Sequence, residues 1–242
     1  MKPLTLEHYD VLLFDLDDTL FSHSEAYERG VWDTLQQFPK LKAIAPNVFY
    51  KTFLKHNHLL WGRFSSKLLN YHDFSLKRLE NTLKEFNITV EKEVSLAIVK
   101  TFQCSYLDRI QPQQEMNEFL SELSESFKLG IVTNGTVFNA YEKVHRLGLS
   151  PTFPENSVII SEMVGFSKPD TEIFQHTLNV FESSQDRTLF IGDNYFTDIV
   201  GAKSLSLDTI WINKFGYECP QEQPDYTLNC LLDLKELIMK VG

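Results

Sequence analysis

Residues Val11 to Leu20 read VLLFDLDDTL, and this stretch constrains the fold more than any other. Val11, Leu12, Leu13 and Phe14 form an unbroken apolar run of strand length, the pattern of a strand buried on both faces. The run stops at three carboxylates, Asp15, Asp17 and Asp18, followed by Thr19. Carboxylates cost free energy when they leave water unpaired. A buried strand that ends in acids therefore points to a metal or a reaction at its carboxyl end, the edge where open α/β sheets bind ligands. The plainer alternative is an acidic turn after a strand, and the rest of the chain decides between them.

After Leu20 the texture becomes helical, with almost no strand signal from Phe21 to Leu107. Ser24 is placed as the cap of a helix running to about Phe38, which Pro39 ends. Pro46 opens a second helix with Phe49, Phe53, Leu60 and Phe64 on one face. Ser75 is placed as the cap of a third, with Leu76, Leu79, Leu83 and Phe86 as its stripe. A fourth runs from about Val90 to Tyr106, with Val94, Ile98 and Phe102 inward. From Gln111 strands return: Lys128–Thr133, Ser157–Ile160, Thr188–Ile191 and Thr209–Ile212. Helices alternate with them at Glu115–Ser126, Val137–Leu147, from Pro169 to Phe181, at Thr197–Leu205 and at Leu231–Lys240. Such alternation makes βαβ units and a parallel sheet covered on both faces. The expected fold is α/β, a Rossmann-like doubly wound core of residues 1–20 and 108–242, with an all-helical cap domain, residues 21–107, inserted after the first strand.

Composition excludes several classes. Hydrophobic residues make up 43%, with nineteen Phe, enough for a packed core and against disorder. A formal net charge of −10 argues against a nucleic-acid polymer or an anionic membrane as partner. No apolar run approaches the roughly 18 residues that would span a bilayer. No basic stretch followed by an apolar core opens the chain, and Cys104, Cys219 and Cys230 are odd in number and widely spaced. A reducing, cytoplasmic setting without disulfides or a zinc site is the expectation. His56 and His58, two positions apart, point away from each other on a helix and make a poor metal pair.

Four strand ends or the loops after them carry unusual polar groups: Asp15, Asp17 and Thr19; Thr133 and Asn134; Gly165, Lys168 and Pro169; Asp193 and Asp198. In a parallel sheet all four groups share one edge. Carboxylates, one ammonium, one hydroxyl and main-chain amides near glycines suit a hard cation together with a phosphate. They suit zinc poorly, because no His or Cys joins them.

This set resembles the four motifs of the haloacid dehalogenase-like hydrolase superfamily, in the family's order. D-x-D-x-T is Asp15-Leu16-Asp17-Asp18-Thr19. The second motif's Thr is Thr133, in IVTNG, and the third motif's Lys is Lys168, in GFSKP. The acidic fourth motif is Gly192-Asp193 followed by Asp198. The resemblance covers the whole chain, since a helical cap between the first two motifs is the family's main arrangement with this core.

The resemblance implies phosphoryl transfer through Asp15 as nucleophile, giving an aspartyl-phosphate. Asp17 would protonate the leaving oxygen and then take a proton from the hydrolytic water, which needs different environments for the two acids. Mg²⁺ would be held by Asp15, the main-chain carbonyl of Asp17, and Asp193. Thr133 and the amide of Asn134 would bind phosphate oxygens, and Lys168 would neutralise developing charge. Thr19 and Asp198 would support, Asp198 by orienting Lys168 or a water of the metal's shell. Dehalogenases and phosphonatases of the superfamily lack an acid at the position of Asp17, so phosphate-ester chemistry is favoured. Cap length, the pair Leu60-Trp61 and the run Ser161–Gly165 resemble the pyrimidine 5′-nucleotidase-like branch. The expected substrate is a small phosphorylated metabolite, such as a nucleoside 5′-monophosphate. A phosphosugar mutase, a sugar-phosphate phosphatase and a non-catalytic regulator are the alternatives. The sequence does not fix the oligomeric state.

Overall fold

A computed structural model describes residues 5–220 and 222–235. The contacts divide them into two compact units: His23–Ile110, and the described residues up to Ser22 together with those from Gln111 onward.

The chain enters strand β1 (Val11–Phe14), all four residues buried. It then leaves for the helical unit, made of α1 (His23–Gln37), α2 (Pro46–Ser65), α3 (Tyr71–Glu85) and α4 (Lys92–Leu107). An aromatic core explains why these four helices hold together. Phe49 and Phe53 are buried as the sequence implied, and Tyr27 meets the ring of Phe102 edge-on with centroids 4.9 Å apart. Two expected caps are displaced. Ser24 lies inside the first turn of α1, and Ser75 is buried in the second turn of α3. Asn70 caps α3 instead, its side chain accepting from the Asp73 amide at 2.8 Å, because an Asn oxygen satisfies an orphan N–H as well as a serine does. Val94, expected inward, is exposed.

The second unit resumes with α5 (Gln114–Ser124), β2 (Lys128–Thr133), α6 (Val137–Arg146), β3 (Val158–Ile160), the short α7 (Ser161–Val164), α8 (Thr171–Phe181) and β4 (Thr188–Gly192). A π-helical turn at Tyr195–Val200 runs into α9 (Gly201–Ser204), and β5 (Asp208–Ile212) and β6 (Tyr226–Leu228) complete the sheet. The six strands lie in the order β3-β2-β1-β4-β5-β6, every neighbouring pair parallel. This is the doubly wound α/β sheet that the alternating pattern called for.

Alternation along β1 sends side chains to opposite faces. Val11 and Leu13 join Ile173, Phe174, Leu178 and Phe181 of α8 in one buried cluster. On the opposite face Phe14 meets Phe153 edge-on, centroids 6.1 Å apart. Helix α8 begins at Thr171, two residues after Pro169, whose bond to Lys168 is cis. The single helix expected at Thr197–Leu205 begins two residues earlier, as the π-helical turn. The expected closing helix at Leu231–Lys240 lies partly outside the described residues.

Candidate active site

Register sets the site. Phe14 pairs with Ile131 on one side and Ile191 on the other, so the ends of β1, β2 and β4 are level. Asp15 remains in the ladder, its amide donating to Ile191 O at 2.9 Å. The central strand is flanked on both sides, so Asp15 has little solvent, and its residue is 7% exposed. Thr133 ends β2 and is buried, and Asp193 follows Gly192 at the end of β4. Past Asp15 the chain turns sharply. Asp18 adopts a left-handed conformation with φ +62°, one that Asp tolerates better than most residues. Thr19 is buried with a hydroxyl that has no hydrogen-bond partner among the described residues.

Lys168 comes from the loop after α7, which ends at Gly165 with φ +87°, a conformation that favours glycine. Its ammonium lies 2.5 Å from Asp15 Oδ1 and 2.8 Å from Asp198 Oδ1. All three residues are buried. Burial alone would lower the Lys168 pKa, but the two carboxylates outweigh it and hold it above the ordinary lysine value. Asn134 fixes the same segment by its main chain: Nδ2 donates to Lys168 O at 2.7 Å, and Lys168 N donates to Oδ1 at 2.8 Å.

The fourth loop folds on itself. Asn194 Oδ1 accepts from the amides of Phe196 and Thr197, both at 3.1 Å, and so caps the π-helical turn. Asp198 reaches back, its Oδ2 accepting from Asn194 N at 3.0 Å. The room for that carboxylate exists because residue 192 is glycine: a Cβ there would lie 2.4 Å from Asp198 Oδ2. Trp211 Nε1 donates to Asp193 O at 2.7 Å and pins the main chain beside it.

One oxygen each from Asp15, Asp193 and Asp198 lie within 4.8 Å of one another. Burial, then the neighbouring carboxylates Asp15 and Asp198, push the Asp193 carboxyl up to about 9. Burial likewise raises Asp15, Lys168 pulls it back, and Asp198 and Asp17 push it further up. Crowded acids with one ammonium among them hold protons that a bound cation would displace. The all-oxygen donor set fits a hard divalent cation.

Asp17 stands apart from this carboxylate group. Its two oxygens each lie 2.7 Å from the ammonium of Lys143, on α6. Lys143 is buried and was not among the residues the sequence singled out. A signal was present: Lys143 occupies the inward stripe Ala140, Lys143, Val144 and Leu147, where an apolar residue is the rule.

Residues 9–205 match the haloacid dehalogenase-like hydrolase family. The chain is 28% identical to the glyceraldehyde 3-phosphate phosphatase of Methanocaldococcus jannaschii over 230 residues, 94% of this chain and 96% of the relative. It is 29% identical to the pyrimidine 5′-nucleotidase PynA of Streptococcus pneumoniae over 236 residues, 96% of each. A magnesium-bound crystal structure of the HAD-hydrolase YfnB of Bacillus subtilis superposes with a TM-score of 0.79 at 25% identity, covering 96% of this chain and 99% of that one. With the four motifs gathered at one sheet edge and a family match over most of its length, this chain belongs to the haloacid dehalogenase-like hydrolases.

Proposed function

We propose that this protein hydrolyses phosphate monoesters of small metabolites, nucleoside 5′-monophosphates among them, through an aspartyl-phosphate on Asp15 and with Mg²⁺. The observation that carries the reading is the buried group of Asp15, Lys168, Asp193 and Asp198 at the carboxyl edge of the sheet, with a second acid, Asp17, two residues after the first. Asp15, Asp193 and the main-chain carbonyl of Asp17 would hold the cation. Both oxygens of Asp198 are already engaged, by Lys168, Thr197 and Asn194, which favours an orienting part for it. When bound, Mg²⁺ supplies charge neutralisation between Asp15 and the phosphate and acts as a Lewis acid.

The chain's own groups account for the rest. An Asp15 oxygen attacks phosphorus, and the ester P–O bond breaks with its electron pair going to the leaving oxygen. That oxygen takes the proton of the Asp17 carboxyl. Water then attacks the phosphorus held on Asp15, the P–O bond to Asp15 breaks with its electron pair returning to the carboxylate, and a proton of the water passes to Asp17. Lys168 faces the charge that builds on the transferring group, and Thr133 with the Asn134 amide receives phosphate oxygens. The helical insert is assigned the part of a cap, on the ground of where it enters the chain, directly after the first motif.

Two substrate classes are in view. Likeness to a pyrimidine 5′-nucleotidase supports nucleotides, and likeness to a glyceraldehyde 3-phosphate phosphatase supports sugar and triose phosphates. The test is phosphate release from an aryl phosphate with Mg²⁺ and with a chelator, beside Asp15→Asn, followed by a panel of nucleotides and sugar phosphates. Release that needs Mg²⁺ and vanishes in the variant is expected. Release that survives Asp15→Asn would remove Asp15 as nucleophile. A strong preference for phosphosugars over every nucleotide would remove the nucleotidase part alone.

A further inference from the structure

Lys143 is a buried lysine on the core-facing stripe of a helix, 126 positions from the acid it grips. Its ammonium is equidistant from both Asp17 oxygens at 2.7 Å, and its side chain is 8% exposed against 31% for Asp17. Burying an ammonium is costly unless it is paired. An apolar residue at this position would pack the same stripe without that cost. The charge is therefore explained by its partner and not by the packing of α6.

Asp17 needs such a partner for geometric reasons. A short carboxylate on a turn has several rotamers open to it. The acid must also present one particular oxygen to the ester. An ammonium only donates, so it seeks an oxygen lone pair, and the carbonyl oxygen of a protonated carboxyl is a better acceptor than its O–H oxygen. When Asp17 is protonated, its carbonyl oxygen keeps the bond to Lys143. The proton is then confined to the other oxygen.

We propose that Lys143 is a positioning residue for Asp17, holding its carboxyl group in one rotamer and so directing the protonated oxygen to the leaving group. The inference rests on the phosphatase reading above.

The experiment compares kcat/KM for two esters, an aryl phosphate with an acidic leaving group and an alkyl phosphate with a basic one, in wild type, Lys143→Met, Asp17→Asn and the double variant. kcat/KM reports the steps up to departure of the leaving group, where the acid acts. An aryl oxide leaves with little help from a proton, whereas an alkoxide needs one. Lys143→Met is expected to lower the alkyl-phosphate value about 100-fold and the aryl value by less than about tenfold, within the usual range for general acid catalysis. In the Asp17→Asn background the same change is expected to add less than about twofold, because the two residues act as a unit. The ratio of the two esters within one preparation does not depend on how much of the variant is folded. Equal losses on both esters, or an undiminished loss in the Asp17→Asn background, would overturn the proposal and leave Lys143 a structural or phosphate-binding residue. A wild type that releases phosphate from neither ester would overturn the phosphatase reading and this inference with it.

Discussion

The side-chain amide of Asn134 closes on the main chain of Lys168 from both sides, donating to its carbonyl at 2.7 Å and accepting from its amide at 2.8 Å. The residue after Thr133 thus fixes the residue that carries the site's buried ammonium, 34 positions away. Loss of this clamp frees the loop while leaving every charged group in place. Asn134→Ala is expected to lower kcat about 100-fold, the scale of a misplacement of about 1 Å. Asn134→Asp keeps the acceptor for Lys168 N but loses the donor, and should lose less than Asn134→Ala. Steady-state kinetics on a single aryl phosphate checks both, and wild-type rates in Asn134→Ala would show that Lys168 needs no such support.

Gly192 and Asp198 share one volume. A Cβ on residue 192 would meet the Asp198 side chain at 2.4 to 2.7 Å, closer than real Cβ contacts come. Gly192→Ala is expected to destabilise the fold by about 2 kcal/mol, as overpacking of a rigid site does. It should also displace the carboxylate that pairs with Lys168. Asp198→Gly removes every clashing atom, so the double variant should be less destabilised than the sum of the single changes. Urea unfolding of the four proteins measures this, and strict additivity would mean the two positions do not compete for space.

How far the sequence alone led can be argued from particular residues. Asp15 was legible because an acid at the end of an apolar run is a signal contained in ten consecutive residues. Lys168, Asp193 and Asp198 were legible by order and by position after strands. Lys143 was not read, although its place on an apolar stripe marked it, because nothing in the chain names its partner 126 positions away. Asn134 was read for its main-chain amide, whereas the structure shows its side chain at work on a loop whose path no local pattern gives. The edge strand β6 carries no clear sequence signal, because Tyr226–Leu228 is short, half-exposed and preceded by Pro220 and Pro224, which read as loop. Ser75 has the residue type of a cap but sits inside the helix, because Asn70, five residues earlier, caps it.

Arg78 is buried in the helical unit among aromatic rings, its Cζ 4.3 Å from the Phe53 centroid and 5.0 Å from that of Phe74. Nη1 donates to Asn57 Oδ1 at 2.7 Å and to the Tyr27 hydroxyl, and Nε is buried without a partner among the described residues. The guanidinium is thus held by ring faces and neutral acceptors, and much of its value is volume. Arg78→Ala is expected to cost about 3 kcal/mol, the range for emptying a large core site. Arg78→Met fills most of the space without a charge to desolvate, and is expected within about 1 kcal/mol of wild type. Chemical denaturation decides, and equal losses in the two variants would mean that the charge matters more than the volume.

The pH dependence of stability follows from Asp193. Its folded carboxyl is pushed up to about 9 by burial and by Asp15 and Asp198, far above the ordinary value of 3.8. Between those two values the folded state binds more protons than the unfolded one, so stability falls as pH rises. Asp15 is shifted in the same direction. Lys168 is raised and so contributes fully at every pH below the ordinary lysine value, which leaves the slope across pH 5 to 9 unopposed. The exposed acids Asp10 and Asp186 are lowered, and their contribution is lost only below the ordinary aspartate range. Metal-free protein should therefore melt at progressively lower temperature from pH 5 to pH 9. Mg²⁺ competes with the protons on these carboxylates, so the rise in Tm on adding it should grow over the same interval. Asp193→Asn removes one of the two raised carboxyls and should make both trends shallower. Differential scanning calorimetry with chelator and with Mg²⁺ tests this; a Tm increment from Mg²⁺ that is constant with pH, or unchanged in Asp193→Asn, would mean the cation does not bind at this carboxylate.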